Sequence, residues 1–250
     1  MMMNQCRYKC PGIILSVGNS NLGMNEMSRE KITIIMLTYN APKYVKIAVE
    51  SIAAKTKGVT YELIVVDNHS RLPTRLLLRK LKKKGYIDFI QWNKKNLLFA
   101  RGNNIGSRMA SPESTHLLLI NSDVEVRNDL WLKRLLDLCP GGGICAYGVV
   151  ENAPVRADGY CILVDKALYE KHELDENYEW FWSITKLQAK ALADGKKVIA
   201  VKEHDNMLYH FGGKSGKAYS HAKGMDESGK EICRWFGNNS IEIVEKMEEV

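Results

Sequence analysis

His116-Leu117-Leu118-Leu119-Ile120-Asn121-Ser122-Asp123-Val124-Glu125-Val126 joins an apolar run to a polar cluster. Its apolar run, Leu117 to Ile120, is short and unbroken, as in a central parallel strand buried on both faces. The run stops at Asn121-Ser122-Asp123, so the strand delivers a carboxylate to one edge of its sheet. Ligands of open α/β sheets bind beyond the carboxyl ends of the strands. A carboxylate there can hold a hard divalent cation, and such a cation can neutralise a diphosphate. The same three residues also fit an ordinary Asn/Ser/Asp turn in which Asp123 caps the next element. The surrounding chain decides between the two.

Upstream, Lys31 to Leu37 and Tyr61 to Val66 are further buried strands. The first ends in Thr38-Tyr39-Asn40 and the second in Asp67-Asn68-His69-Ser70. Ala41-Pro42 opens a helix that Asn40 is placed to cap. Pro73 opens another, carrying Leu76, Leu77 and Leu81, with Gly85 as its stop. Tyr86 to Trp92 is a third strand, with Phe89 and Ile90 as core candidates, and a helix reaching about Ala110 follows. Strands alternating with helices over short links predict an α/β fold with a mostly parallel, doubly wound sheet. In such a sheet Thr38-Tyr39-Asn40, Asp67-Asn68 and Asn121-Ser122-Asp123 converge on one edge. That convergence favours a ligand site over three unrelated turns.

Downstream, Asn128 is expected to cap a helix through Leu138, which Pro140 and Gly141-Gly142-Gly143 break. Strands follow at Ile144 to Val150 and Asp158 to Asp165, then an acidic, aromatic stretch from Leu174 to Trp182. Trp180, Phe181 and Trp182 fit core packing or a wall for stacking a sugar. A helix stopped by Gly195 leads to a last short strand, Val198 to Val201, and His210 lies beyond it. Residues 1–30 have no periodicity and are expected to form a weakly ordered extension; from about Lys214 the chain is polar, helical or mobile.

Composition narrows the partners. The 250 residues are 45% hydrophobic and 26% charged, which is ordinary for a soluble globular protein. No apolar run nears the roughly 20 residues of a membrane span. Pro11 to Gly18 is short and lacks a small-residue cleavage site, so no signal peptide is expected. Six dispersed cysteines, among them the lone pair Cys6 and Cys10, suit a reducing, cytoplasmic setting. The net charge of +7 is concentrated near Arg79-Lys80-Leu81-Lys82-Lys83-Lys84 and Lys94-Lys95. This suits a solvated helix face, an enzyme of anionic nucleotides, or contact with an anionic membrane surface. No aromatics interleave with the basic run, which argues against nucleic acid. The first strand-to-helix turn lacks G-x-G-x-x-G, which argues against a dinucleotide enzyme.

Ile-Met-Leu-Thr-Tyr-Asn, Ile-Val-Val-Asp-Asn-His-Ser, Asn-Leu-Leu-Phe-Ala-Arg-Gly-Asn-Asn-Ile-Gly and Leu-Ile-Asn-Ser-Asp occur in this order between residues 35 and 123. In order and spacing they resemble the GT-A glycosyltransferases of family 2, and within them the rhamnosyltransferase-like branch. The resemblance covers roughly residues 31–213. It implies a nucleotide-sugar-binding half at 31–126 and an acceptor-binding half at 127–213 of one GT-A domain. Thr38, Tyr39, Asn40 and Asp67, with Asn68, would hold the nucleoside. Arg101 and Asn104 would lie near the diphosphate and sugar, beside Asn121, Ser122 and Asp123. Asp123 would bind Mn²⁺ or Mg²⁺, with His210 as a second ligand. The implied activity is metal-dependent, inverting transfer of a sugar from a nucleoside-diphosphate donor to a glycan, lipid-linked or other hydroxyl acceptor. One departure stands out: the family's usual acidic pair falls at Ser183-Ile184. Neither can act as a base. Glu179 is the nearest carboxylate, with Asp175 and Glu176 as further candidates, and loss of the pair leaves open a fold that binds without turnover.

Overall fold

The computed structural model describes residues 30–139, 141–214 and 221–247. The leader expected at 1–30 lies outside these except for Glu30, as do Cys6 and Cys10. In chain order the first half runs β1 (Lys31–Thr38), α1 (Pro42–Lys55), β2 (Thr60–Asp67), α2 (Leu72–Lys83), β3 (Phe89–Trp92), α3 (Leu98–Ser107), β4 (Ser114–Asn121) and β5 (Val124–Val126). The second half runs α4 (Trp131–Asp137), β6 (Ile144–Tyr147), β7 (Val149–Val150), β8 (Arg156–Ala157), β9 (Cys161–Asp165), α5 (Lys166–His172), α6 (Trp182–Ala193), β10 (Val198–Glu203), β11 (Leu208–His210), α7 (Gly229–Phe236) and β12 (Glu242–Lys246).

Eight strands form one sheet in the order β12-β10-β6-β9-β4-β1-β2-β3. All pair in parallel except β9, which is antiparallel to both β4 and β6. Helices cover both faces, as the apolar strand runs require. Val45, Ala48, Val49 and Ile52 of α1, Leu78 and Leu81 of α2, and Trp131 and Leu135 of α4 share one core with Ile32, Ile34 and Met36. Ala100 of α3, Tyr169 of α5, Leu187 of α6 and Phe236 of α7 share the other with Ile35, Leu117 and Leu119. Successive side chains of β1 and β4 therefore feed opposite layers.

Several expectations need correction. Asn40 does not cap α1; the cap position is Ala41, with no side-chain bond, because the Asn40 carboxamide accepts from the Arg71 N–H instead. Leu76 and Phe89 are 53% and 51% exposed, since β3 is the last strand of the sheet on this side and no further strand among the described residues pairs with it. The chain after Lys214 adds α7 and a further strand: β12 pairs with β10, so Val198 to Val201 is not the last strand of the sheet. A polar stretch can do this because an edge strand needs only one apolar face.

Glycine sets how closely α3 approaches the sheet. A Cβ on Gly106 would lie 2.5 Å from Ile35 Cγ2 and 3.2 Å from Val66 Cγ2. Gly106→Ala is therefore expected to push α3 off β1 and β2 and to destabilise the fold by about 1–3 kcal/mol. Urea unfolding should show this as a lower midpoint at unchanged slope; a midpoint equal to the parent's would mean that the layer has slack.

Candidate functional site

The parallel register brings the polar strand ends together. Thr38 stands opposite Asp67 across β1 and β2, and Leu37 stands opposite Asn121 across β1 and β4. Asp67 is almost fully buried; its carboxylate accepts from Thr38 Oγ1 at 3.4 Å and from the Ser70 N–H at 3.2 Å. Asn40 and Ala41 both take left-handed backbone, φ 58° and 52°, a turn that asparagine tolerates better than most residues. The Asn40 N–H donates to Ser70 Oγ at 2.8 Å, so the loops after β1 and β2 are stapled to each other. Tyr39 is half-buried at the same edge. Asn68 is turned into the protein: its Nδ2 donates to the Leu98 carbonyl, and its Oδ1 accepts from Asn93 Nδ2 at 2.9 Å. It holds the 93–98 loop.

Asn121, Ser122 and Asp123 occupy the turn between β4 and β5. The Asn121 N–H donates to the Tyr160 carbonyl at 2.8 Å. Ser122 and Asp123 are buried. β5 and β11 form an antiparallel ribbon with Val124 opposite His210, which carries the imidazole to the carboxylate. His210 Nε2 lies 3.3 Å from Asp123 Oδ1, across 87 residues of chain. The other oxygen, Oδ2, accepts from the Lys214 N–H at 3.1 Å. Burial alone raises the Asp123 carboxyl, but His210 and the Lys214 N–H outweigh it, and the group sits below the ordinary carboxylate range.

Behind His210 lies a stack of rings that was not anticipated. Tyr160 stacks on His210 with centroids 4.2 Å apart and planes 17° apart. Its hydroxyl meets His204 Nε2, and the His204 ring stacks on Tyr147 at 5.5 Å. Among the described residues no group of three or more His, Cys, Asp or Glu gathers to form a closed metal centre. One carboxylate and one imidazole nevertheless suit a hard cation that takes its remaining ligands from diphosphate oxygens and water.

The residues expected on α3 tie that helix to the protein. Asn104 is 1% exposed and has all four hydrogen-bonding positions occupied. Its Nδ2 donates to the Leu174 carbonyl and to Glu176 Oε1, and its Oδ1 accepts from Tyr169 Oη and the Leu174 N–H. Arg101 Nε lies 3.1 Å from Glu176 Oε2. Both side chains fasten α3 to the 174–176 segment. Asp175 is paired with Lys186 at 2.6 Å.

Glu179 is placed between two elements. Its carbonyl accepts from the Phe99 and Ala100 N–H groups at the start of α3, and its Oε2 accepts from the Lys223 N–H at 2.8 Å. Ser183 is fully buried, with its hydroxyl on the Trp180 carbonyl, and Ile184 packs where a Cβ on Gly159 would be. The aromatic run splits: Trp180 meets Phe99 edge-on, while Phe181 points outward, 42% exposed.

Asp158, expected only as the start of a strand, is brought to this edge by the direction of β9. Because β9 runs antiparallel, its leading end lies at the same edge as the trailing ends of β4 and β6. The Asp158 N–H accordingly bonds to the Gly148 carbonyl just after β6. The polar lead Asp158-Gly159-Tyr160 is visible in the sequence, but the strand's direction is not.

A mostly parallel sheet with helices on both faces gathers its polar strand ends, with the buried carboxylates Asp67 and Asp123, at one edge, and this α/β architecture is GT-A-like. Residues 33–155, just under half of the chain, match the family described as Glycosyl transferase family 2. The chain is 26% identical over 181 residues to the poly(ribitol-phosphate) β-N-acetylglucosaminyltransferase TarP of Staphylococcus aureus strain N315, an alignment covering 68% of this chain and 52% of TarP. It thus spans about half the length of that curated relative. In structure it resembles the mannosyltransferase PcManGT of Pyrobaculum calidifontis, in complex with GDP-Man and Mn²⁺, at TM-score 0.60 and 15% identity, covering 69% of this chain and 55% of that one. It also resembles S. aureus TarS 1–349 in complex with UDP, at TM-score 0.52 and 19% identity, covering 64% and 54%. At these identities the likenesses concern the fold.

Proposed function

We propose that this chain transfers a sugar from a nucleoside-diphosphate donor to a hydroxyl of a glycan, lipid-linked or other acceptor, with inversion at the anomeric carbon. The observation that carries this is the placement of Asp123 beside His210 at the edge shared by Thr38 and Asp67. Asp67, with its carboxylate held by Thr38 and Ser70, receives the base or ribose, and Tyr39 and Asn40 line that side. Asn121, Ser122 and Asp123 face the diphosphate. Asp123 and His210 would hold Mn²⁺ or Mg²⁺ there, and the ion would supply neutralising charge to the departing nucleoside diphosphate. Tyr160 keeps the imidazole plane fixed by stacking. Asn104 and Asn68 shape the site by position, since their polar atoms are spent on the protein, whereas Arg101 commits only Nε to Glu176 and its half-exposed guanidinium lies near the diphosphate and sugar.

In the chemical step the acceptor oxygen bonds to the anomeric carbon as the bond to the diphosphate oxygen breaks. The hydroxyl proton passes to a carboxylate. Two candidates remain after the Ser183-Ile184 substitution: Glu179 and Asp158. Glu179→Gln and Asp158→Asn are expected to differ sharply, the true base losing about 10²–10⁴ in kcat at little change in KM. The rhamnosyltransferase-like branch rests on Asn121-Ser122-Asp123 alone. The N-acetylglucosaminyltransferase name of the curated relative and a TarS complex with UDP-GlcNAc make UDP-N-acetylglucosamine the first donor to offer, with GDP-mannose and dTDP sugars beside it.

A second reading is favoured by Ser183 and Ile184, both buried and neither basic: a GT-A fold that binds donor or glycan without turnover. Titration calorimetry with nucleoside-diphosphate release in the presence of acceptors separates the two. Saturable donor binding with release supports a transferase. Saturable binding with no release from any donor–acceptor pair supports the binder.

A further inference from the structure

We propose that the edge formed by α2 and β3 seats this chain on an anionic membrane surface. Residues 71–89 contain seven lysines and arginines and one acid, which accounts for six of the net +7 of the whole chain. α2 buries Thr74, Leu78 and Leu81 and turns the opposite side outward. On that outer side Leu72 and Leu76 are 62% and 53% exposed, four residues apart and so stacked one above the other along the helix. Tyr86 and Phe89 are exposed just beyond it. Four of the seven large hydrophobic side chains exposed among the described residues therefore fall within one short segment, between Leu72 and Phe89.

The cations around them are available. Among the described residues Arg79, Lys80 and Lys83 have no carboxylate within ion-pair distance, whereas Lys84 reaches Glu50 at 3.6 Å. A basic helix that also projects leucines is the composition of an interfacial element: the aliphatic side chains enter the headgroup boundary, and the cations meet anionic lipid heads. No helix among the described residues is long and apolar enough to cross a membrane.

Two other readings explain less. Lysines beside an edge strand discourage strand pairing between molecules, which accounts for Lys82 and Lys84 next to β3 but not for outward leucines at 72 and 76. Nucleic acid needs open aromatic faces, but the Trp92 ring is covered by the Arg75 and Arg79 guanidinium groups at 5.0 and 5.4 Å from its centre, and Lys82 and Lys84 lie over the Phe89 and Tyr86 rings at 5.7 and 5.5 Å. The placement has a consequence for the site. α2 starts directly after the Asp67–Ser70 loop, and the Arg71 N–H is bonded to Asn40. A chain held by this edge carries its donor side close to the lipid, where an acceptor anchored in the membrane is in reach. The seat itself rests on the α2–β3 face and stands or falls separately from the transferase reading.

The test is co-sedimentation of the full chain with vesicles of phosphatidylcholine alone or mixed with phosphatidylglycerol. Binding is expected only to the mixed vesicles, and to weaken as salt is added. Leu72→Ser with Leu76→Ser, and separately Arg79→Glu with Lys80→Glu and Lys83→Glu, should each cut the bound fraction roughly tenfold. Lys197→Glu with Lys230→Glu, on other elements, should leave it unchanged. Unaltered melting curves show that the variants fold. Equal binding to both vesicle types, or equal loss in the control pair, would overturn the proposal, since the attraction would then be unspecific. So would leucine variants that bind vesicles normally. The same holds if those variants instead convert a dimer of the free protein to monomer, because the face would then be a self-interface.

Discussion

Asp123→Asn is expected to abolish metal-dependent donor binding and to lower kcat/KM by about 10²–10³, the scale of several kcal/mol that a metal's charge contributes to a departing diphosphate. The substitution removes the charge and leaves the shape. An asparagine oxygen can still accept from the Lys214 N–H, which Asp123 Oδ2 does at 3.1 Å. The cost to stability should therefore be small, about 1 kcal/mol for one weakened hydrogen bond. Calorimetric titration of UDP or GDP with and without Mn²⁺ checks it directly. If Mn²⁺ strengthens nucleotide binding equally in parent and variant, Asp123 does not belong to the metal site. His210→Ala should move the same quantity less, because an imidazole ligand carries no charge to lose.

Asn104→Ala is expected to give the opposite pattern, with a large loss of stability and little change in donor affinity. The substitution leaves the Leu174 N–H and carbonyl and the Tyr169 hydroxyl without their partner, and all are buried. Each orphaned group costs about 1–3 kcal/mol, so a total of at least about 3 kcal/mol follows. At roughly 2–4 °C per kcal/mol for a chain of this size, the melting temperature should fall by about 10 °C. Donor affinity measured well below that temperature should stay within about threefold of the parent, the margin of a small positional shift. A tenfold or greater loss of affinity with an unchanged melting point would show that Asn104 touches the donor after all. The two variants together separate what binds from what holds the binding edge in place.

Asn104 also shows why family resemblance and physical role part company. The Asn-Asn-Ile-Gly run is plain in the sequence, and its place after the third strand points to the donor side. Whether its carboxamide faces a ligand or the protein depends on what packs against α3, and that is the Leu174–Glu176 segment, 70 residues later. Asn68 repeats the lesson: adjacent to Asp67 in sequence, it is bonded into the 93–98 loop.

The sequence by itself determined the α/β class, the parallel pairing of the first strands and the edge on which Thr38, Asp67 and Asp123 meet. These follow from local causes. Short apolar runs with polar ends report burial on both faces, and short right-handed crossovers put all carboxyl ends of parallel strands on one side. Only the tertiary structure decided the reversed direction of β9, which brings Asp158 and Tyr160 to that edge, and the β5–β11 ribbon that sets His210 against Asp123. It also decided that Leu76 and Phe89 face outward, although their spacing and chemistry are those of core residues. The reason is common to all three. A strand's direction, a partner 87 residues away and the lack of a neighbour beyond an edge are properties of the assembled sheet, and no local run of residues encodes them.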